Sequence, residues 1–229
     1  SKIKLAWVLE EKAVCVVLND IYILKEQLET KITCIDAHLS LESPQQVLFL
    51  PQVQSTHSPL FFCSVKELET KSVYFSLQHP RFILTPYATH CLLEFASQAR
   101  ELTPHSNKQE VDFQVSGEVN NLQVCVTDDS AEDLASSQES SCDFEHKRYL
   151  VLALSLDYTE SVLGVKDLTL SNGKSCVAEN GLEIAGKNII HPVNAYLKDS
   201  KLEVGDLGVD FLLSHLSYFQ QLSNQFLSH

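Results

Sequence analysis

Residues 149–158 read Tyr149-Leu150-Val151-Leu152-Ala153-Leu154-Ser155-Leu156-Asp157-Tyr158. Leucine recurs at every second position, and in an extended chain such residues share one side. The stretch therefore predicts a β-strand with one dry face. The same period recurs outward from it. Leu122, Val124 and Val126 alternate with Gln123 and Thr127, and Phe113 and Val115 with Asp112 and Gln114. Towards the N-terminus, Val73, Phe75 and Leu77 oppose Ser72, Tyr74 and Ser76, while Thr33, Ile35, Ala37, Leu39 and Leu41 oppose Asp36, His38 and Ser40. Val14, Val16 and Leu18 begin another run, continued after Asn19-Asp20 by Ile21 and Ile23. Several runs exceed the usual five or six residues, so long antiparallel strands in a broad sheet are expected. Asn172-Gly173 and Asn180-Gly181 are both read as hairpin turns.

Two segments change to helical period. In Pro86–Leu102, Ala88, Leu92, Phe95, Ala99 and Leu102 lie three or four apart, with Pro86 suited to a first turn. Over 211–227, Leu212, Leu216, Phe219, Leu222 and Phe226 do much the same. Each follows a strand-like run. The chain therefore divides into two expected units, 1–109 ending in the first helix and 110–229 ending in the second. A smaller recurrence accompanies them. Asn19-Asp20-Ile21, Asn120-Asn121-Leu122 and Lys166-Asp167-Leu168 each place a polar pair before apolar alternation. The expected class is mainly β with two amphipathic helices, its long strands in a curved sheet or groove of two repeat units. A β-sandwich is the alternative.

With 229 residues, 44% hydrophobic and 21% charged, the chain is long enough to bury a core and too apolar to be disordered throughout. A net charge of −13 argues against a nucleic-acid groove. Residues 127–146 hold seven acids and no Lys or Arg, and read as a mobile acidic loop. Within it Ser130, Ser136 and Ser140 each have an acid three residues on, the pattern of a phosphorylation site. The seven cysteines are widely spaced with no C-x-x-C unit, as in a reducing, cytoplasmic setting. The start at Ser1 and the absence of Met suggest an excised segment. No signal peptide or transmembrane segment is expected.

No chemical motif emerges. Gly173-Lys174-Ser175 resembles the end of a phosphate loop, but Leu168 stands where its first glycine belongs. The nine histidines form no short ligand pair and no nucleophile elbow occurs, so neither a metal, a cofactor nor an enzyme is expected.

A sheet of long strands with one continuous apolar face can instead hold hydrocarbon, each buried methylene being worth about 0.8 kcal/mol. On the strand runs 73–98 and 201–226, each leading into a helix, and the strand sets 110–126, 149–170 and 182–201, the chain resembles the bridge-like lipid-transfer proteins. These are the chorein-type, repeating β-groove family that includes the vacuolar protein sorting thirteen branch. The likeness is one of pattern, and the family's N-terminal chorein motif is not evident. It implies an internal segment of a rod whose groove carries phospholipids between organelle membranes at contact sites. Such a segment is cytoplasmic and peripheral, in a Golgi setting for one branch, with a protein adaptor or small GTPase as a further partner. The residues expected on the groove wall are Leu150, Leu152, Leu154, Leu156, Leu122, Val124, Val126, Ile35, Ala37 and Leu39. The same side chains would serve as ordinary sheet core in a cytosolic β-sandwich that recruits a protein partner.

Overall fold

The computed structural model describes residues 2–9, 12–42, 45–52, 59–67, 71–102, 113–128, 148–159, 161–178 and 181–228. The chain is mainly β. Its strands are β1 (Lys2–Leu9), β2 (Lys12–Lys25), β3 (Glu29–Glu42), β4 (Gln45–Pro51), β5 (Phe61–Glu67), β6 (Lys71–Gln78) and β7 (Pro80–Leu84). After helix α1 (Pro86–Leu102) come β8 (Phe113–Val126), β9 (Arg148–Thr159), β10 (Val162–Ala178), β11 (Gly181–Lys198), β12 (Lys201–Val204) and helix α2 (Leu213–Ser228). All twelve strands belong to one sheet, with the path β1-β2-β3-β4-β7-β8-β9-β10-β11-β12. Between β3 and β8 the sheet is two strands wide in each half. One half of β3 pairs with β4 and the other with β5, while β8 pairs with β7 and β6.

The expectation of antiparallel strands requires correction, because β6 and β7 run parallel to β8. Helix α1 is the cause. It carries the chain back along the sheet before β8 begins, and a strand–helix–strand crossover makes parallel neighbours. The strands of both expected units share this one sheet, and among the described residues there is no second sheet to complete a sandwich.

The first helix has its expected bounds. Thr85 caps it, its Oγ1 accepting from Ala88 N at 3.1 Å, and Pro86 occupies the first turn. The second begins two residues later than its pattern suggests, so Phe211 and Leu212 precede it. The Phe211 ring stacks on Phe219 at 6.1 Å. Neither helix is long and apolar enough to cross a membrane.

Asn172-Gly173 is not a turn. Strand β10 passes through it, with Gly173 paired to Tyr149 on one side and Gly186 on the other. The glycines serve close approach, since a Cβ on Gly186 would strike the Asn172 carbonyl oxygen. At the other signal, Ala178 pairs with Gly181, so the chain does reverse there.

Left-handed backbone marks a line across the sheet. Asp20, His79, Asn121 and Asp167 all have φ near +50° although each lies within or between paired strands. Three of them are the second residue of the recurrent polar pair. The register shows what they do. From Leu152 to Leu156, β9 takes four steps; the residues paired across from these two are five apart on β8 (Val124, Val119) and on β10 (Leu170, Val165). The same extra residue appears on β2 (Val16, Ile21), β3 (Leu39, Cys34), across β6 and β7 (Leu77, Phe82), on β11 (Ile190, Ala195) and from Val204 to Val209. Each is one residue inserted at the same level, which bends its strand locally and increases its twist.

Short polar side chains hold this line. Asn121 Nδ2 donates to His79 Nδ1 at 3.2 Å, and Asn121 N donates to Ser155 Oγ at 3.0 Å. Further along, Asn194 Oδ1 accepts from Asp167 N at 2.8 Å and Asn194 O from Gly205 N at 2.8 Å. Toward the other edge, Asn19 Nδ2 donates to Asp36 Oδ2 at 3.0 Å. Asn and Asp tolerate the left-handed region better than other side chains do.

Candidate functional site: a continuous apolar face

Residues directly opposite each other in a sheet point to the same side, so the register reads out the face row by row. One row runs Leu5, Val16, Leu39, Phe49, Phe82, Val124, Leu152, Leu170, Ile190 and Val209. Beyond the bulge line a second runs Ile21, Cys34, Phe61, Leu77, Val119, Leu156, Val165, Ala195 and Val204. A third runs Ile23, Ile32, Cys63, Phe75, Gly117, Tyr158, Leu163, Leu197 and Leu202. No charged side chain interrupts any of the three. At about 4.8 Å per strand and 3.3 Å per residue they cover roughly 43 Å by 20 Å, or about 850 Å².

The bulges are what keep the face continuous. A strand crossing the line without its extra residue would change sides and present its polar residues. In the third row the Phe75 ring lies over Gly117, where an added Cβ would come within 2.6 Å of both the ring and the Phe75 carbonyl oxygen.

The reverse face is different. Its row between the second and third reads Ser76, Glu118, Asp157, Gly164, Tyr196 and Glu203. Glu118 and Asp157 stand directly opposite each other, and neighbours offset their repulsion. Ser76 Oγ donates to Glu118 at 3.1 Å, and Lys166 pairs with Asp157. Across the bulge line the same face is dry, with Ile83, Cys125, Tyr149 and Val151 in one buried cluster. Arg81 lies beside it, 5% exposed, its Nε donating to Gln123 Oε1 at 3.0 Å. Burial lowers the pKa of Arg81 and pushes the Cys125 thiol up to about 11.

The helices sit towards one end of the sheet. Helix α1 packs Ala88 and Cys91 against Leu41 and Leu48, with Val14 and Leu39 beside them, and Phe95 meets Trp7 edge-on at 5.5 Å. In α2, Tyr218 donates its hydroxyl to Arg148 O at 2.8 Å, and burial pushes its pKa up to about 12.

All ten residues expected on the wall are half-buried. Leu150 pairs with Val126, Leu152 with Val124 and Leu154 with Leu122, so these share the face with Leu156. Leu39 joins it through Phe49 and Phe82, and Ala37 by alternation with Leu39. Ile35 sits on the bulge line opposite Asp20, where β3 changes phase, and beyond it Cys34 and Ile32 take over the face. The sequence pattern missed Phe49, Phe61, Phe82 and Ile190. Only strand pairing reveals that they belong to these rows. Ser130, Ser136 and Ser140 lie outside the described residues.

Among the described residues eighteen apolar side chains are buried and twenty-two large apolar ones are exposed. No group of three His, Cys, Asp or Glu among them is placed to hold a metal ion. Comparison of the sequence with protein-family models and with curated proteins found no match to either.

Proposed function

We propose that this chain is an internal segment of a lipid-transfer protein whose apolar face carries glycerolipid tails between organelle membranes at contact sites. The supporting observation is the set of three uninterrupted apolar rows crossing nine or ten strands, with no second sheet over them among the described residues. The rows need no polar recognition group to hold a hydrocarbon chain, because affinity accrues per methylene. On this reading the bulges curve the sheet into a groove, and each expected unit contributes a set of strands and a helix. The segment works in the cytoplasm, peripheral to the membrane. An adaptor or small GTPase docks elsewhere on the rod.

Native mass spectrometry of the chain after incubation with phosphatidylcholine vesicles tests this. Bound phospholipid in a defined number per chain is expected. A lipid-free spectrum from folded protein, under conditions that preserve a known lipid carrier's cargo, overturns the proposal.

A further inference from the structure

At the edge of the sheet, where the chain leaves β11 for α2, a cavity of about 670 Å³ opens. Two backbone bonds fix its walls, His191 N donating to Gly208 O at 2.9 Å and Asp210 N to Ile189 O at 2.8 Å. Phe211, Leu212, Lys187, His191 and His215 are among the residues that line it. His191 Nε2 lies 2.9 Å from Asp210 Oδ2, so the one carboxylate on the wall is hydrogen-bonded to that ring.

Two groups on this wall remain to be matched. Lys187 has no ion pair among the described residues. His215 is 8% exposed, and its Nδ1 accepts from Leu212 N at 3.3 Å. That bond leaves the proton of the neutral ring on Nε2, which has no protein acceptor among the described residues. The first turn of α2, which begins at the cavity, holds no acidic residue, so its amides add positive potential. A ring donor on a largely buried histidine, a cation without an ion pair and a helix N-terminus thus meet at one cavity with apolar lining, in a chain whose net charge is −13.

We propose that this cavity binds a phosphate-type anion, with Lys187 and the Nε2–H of His215 as its side-chain donors. The anion comes either from a lipid headgroup, whose tails would pass along Phe211 and Leu212, or from free phosphate. The cavity meets the apolar face at Val209, the end of its first row, and its anion donors belong to none of the three rows.

The test titrates the full chain with inorganic phosphate and, separately, with dihexanoyl phosphatidate below its micelle concentration. Calorimetry and the His215 ring proton resonances are the readouts. Saturable binding of either probe is expected, weakened about tenfold by Lys187→Gln and by His215→Gln. Response to phosphate identifies a free-anion site, and response to phosphatidate alone a headgroup site. Leu152→Asp/Leu156→Asp should leave phosphate binding unchanged, which separates this site from the face. Absence of saturation by both probes overturns the proposal. So does wild-type affinity in Lys187→Gln, which alters an exposed side chain and leaves the fold intact.

Discussion

Replacing Leu152 and Leu156 together by Asp tests the apolar face at its most regular strand. Both side chains are half-buried and belong to different rows, on either side of the bulge line. Full burial of a leucine is worth about 1.5–3 kcal/mol, so hydrocarbon that completes the burial of each gains roughly 1 kcal/mol there. Losing both contacts removes about 2 kcal/mol, close to a thirtyfold drop in affinity. Two carboxylates beneath a hydrocarbon chain add a desolvation cost, so thirtyfold is a lower bound. The assay is titration with a fluorescent phospholipid, with far-UV circular dichroism to confirm the fold. Thr159→Asp, an exposed position at the end of the same strand, is the control and should bind as wild type. A folded double variant with undiminished lipid affinity would refute the argument that these rows carry the ligand.

Other perturbations probe the frame that holds the face. Gly117→Ala should lower stability by about 1–3 kcal/mol, because the new methyl meets a backbone carbonyl that no rotamer change can move; an unchanged urea midpoint would count against the Phe75 packing. Asn121→Gly should keep more stability than Asn121→Val by about 1 kcal/mol or more, since only the valine is strained at φ near +52°. Equal midpoints would show that the strand does not bend there. Cys125, with its pKa pushed up to about 11 by burial, should label with a thiol reagent at pH 8 at under about a hundredth the rate of an unfolded control; comparable rates would mean the cluster opens readily. Glu42 accepts from Cys15 Sγ at 2.7 Å and from Lys4, which hold its pKa below the ordinary 4.5. Its stabilising effect is present above that pH and lost as pH falls through the depressed value. The stability gap between wild type and Glu42→Gln should therefore close on acidification, and a gap that persists in acid would exclude this ion cluster as its source.

How much of this was legible depended on whether a strand crosses the bulge line undisturbed. Strand β9 does so with no extra residue, and its four leucines, legible as one side of a strand, pair with Val126, Val124, Leu122 and Val119. On β3 the same alternation was followed through Ile35, past the point where the chain changes phase. Nothing in a period-two pattern reveals a single inserted residue when both flanks are apolar. The polar pairs at Asn19-Asp20, Asn120-Asn121 and Lys166-Asp167 were visible as a recurrence, yet their role as left-handed kinks needed backbone angles. Asn172-Gly173 misled because the same two residues suit a turn and a crowded strand interior alike. The direction of β8 was hidden too, since side-chain period is the same in parallel and antiparallel strands. Helix α1 was readable to its ends because Pro86 opens it and one helical period runs from Ala88 to Leu102.

The inserted residues also govern how this sheet can change in evolution. Removing Asn121 would do more than shorten β8. It would turn the preceding half of the strand over, swinging Glu118 and Ser116 among the oily rows and Val119 and Val115 out with the acids. A lost codon at that latitude is an inversion, whereas the same loss at a strand tip merely trims an end. Length variation should therefore gather at the tips and spare the middle.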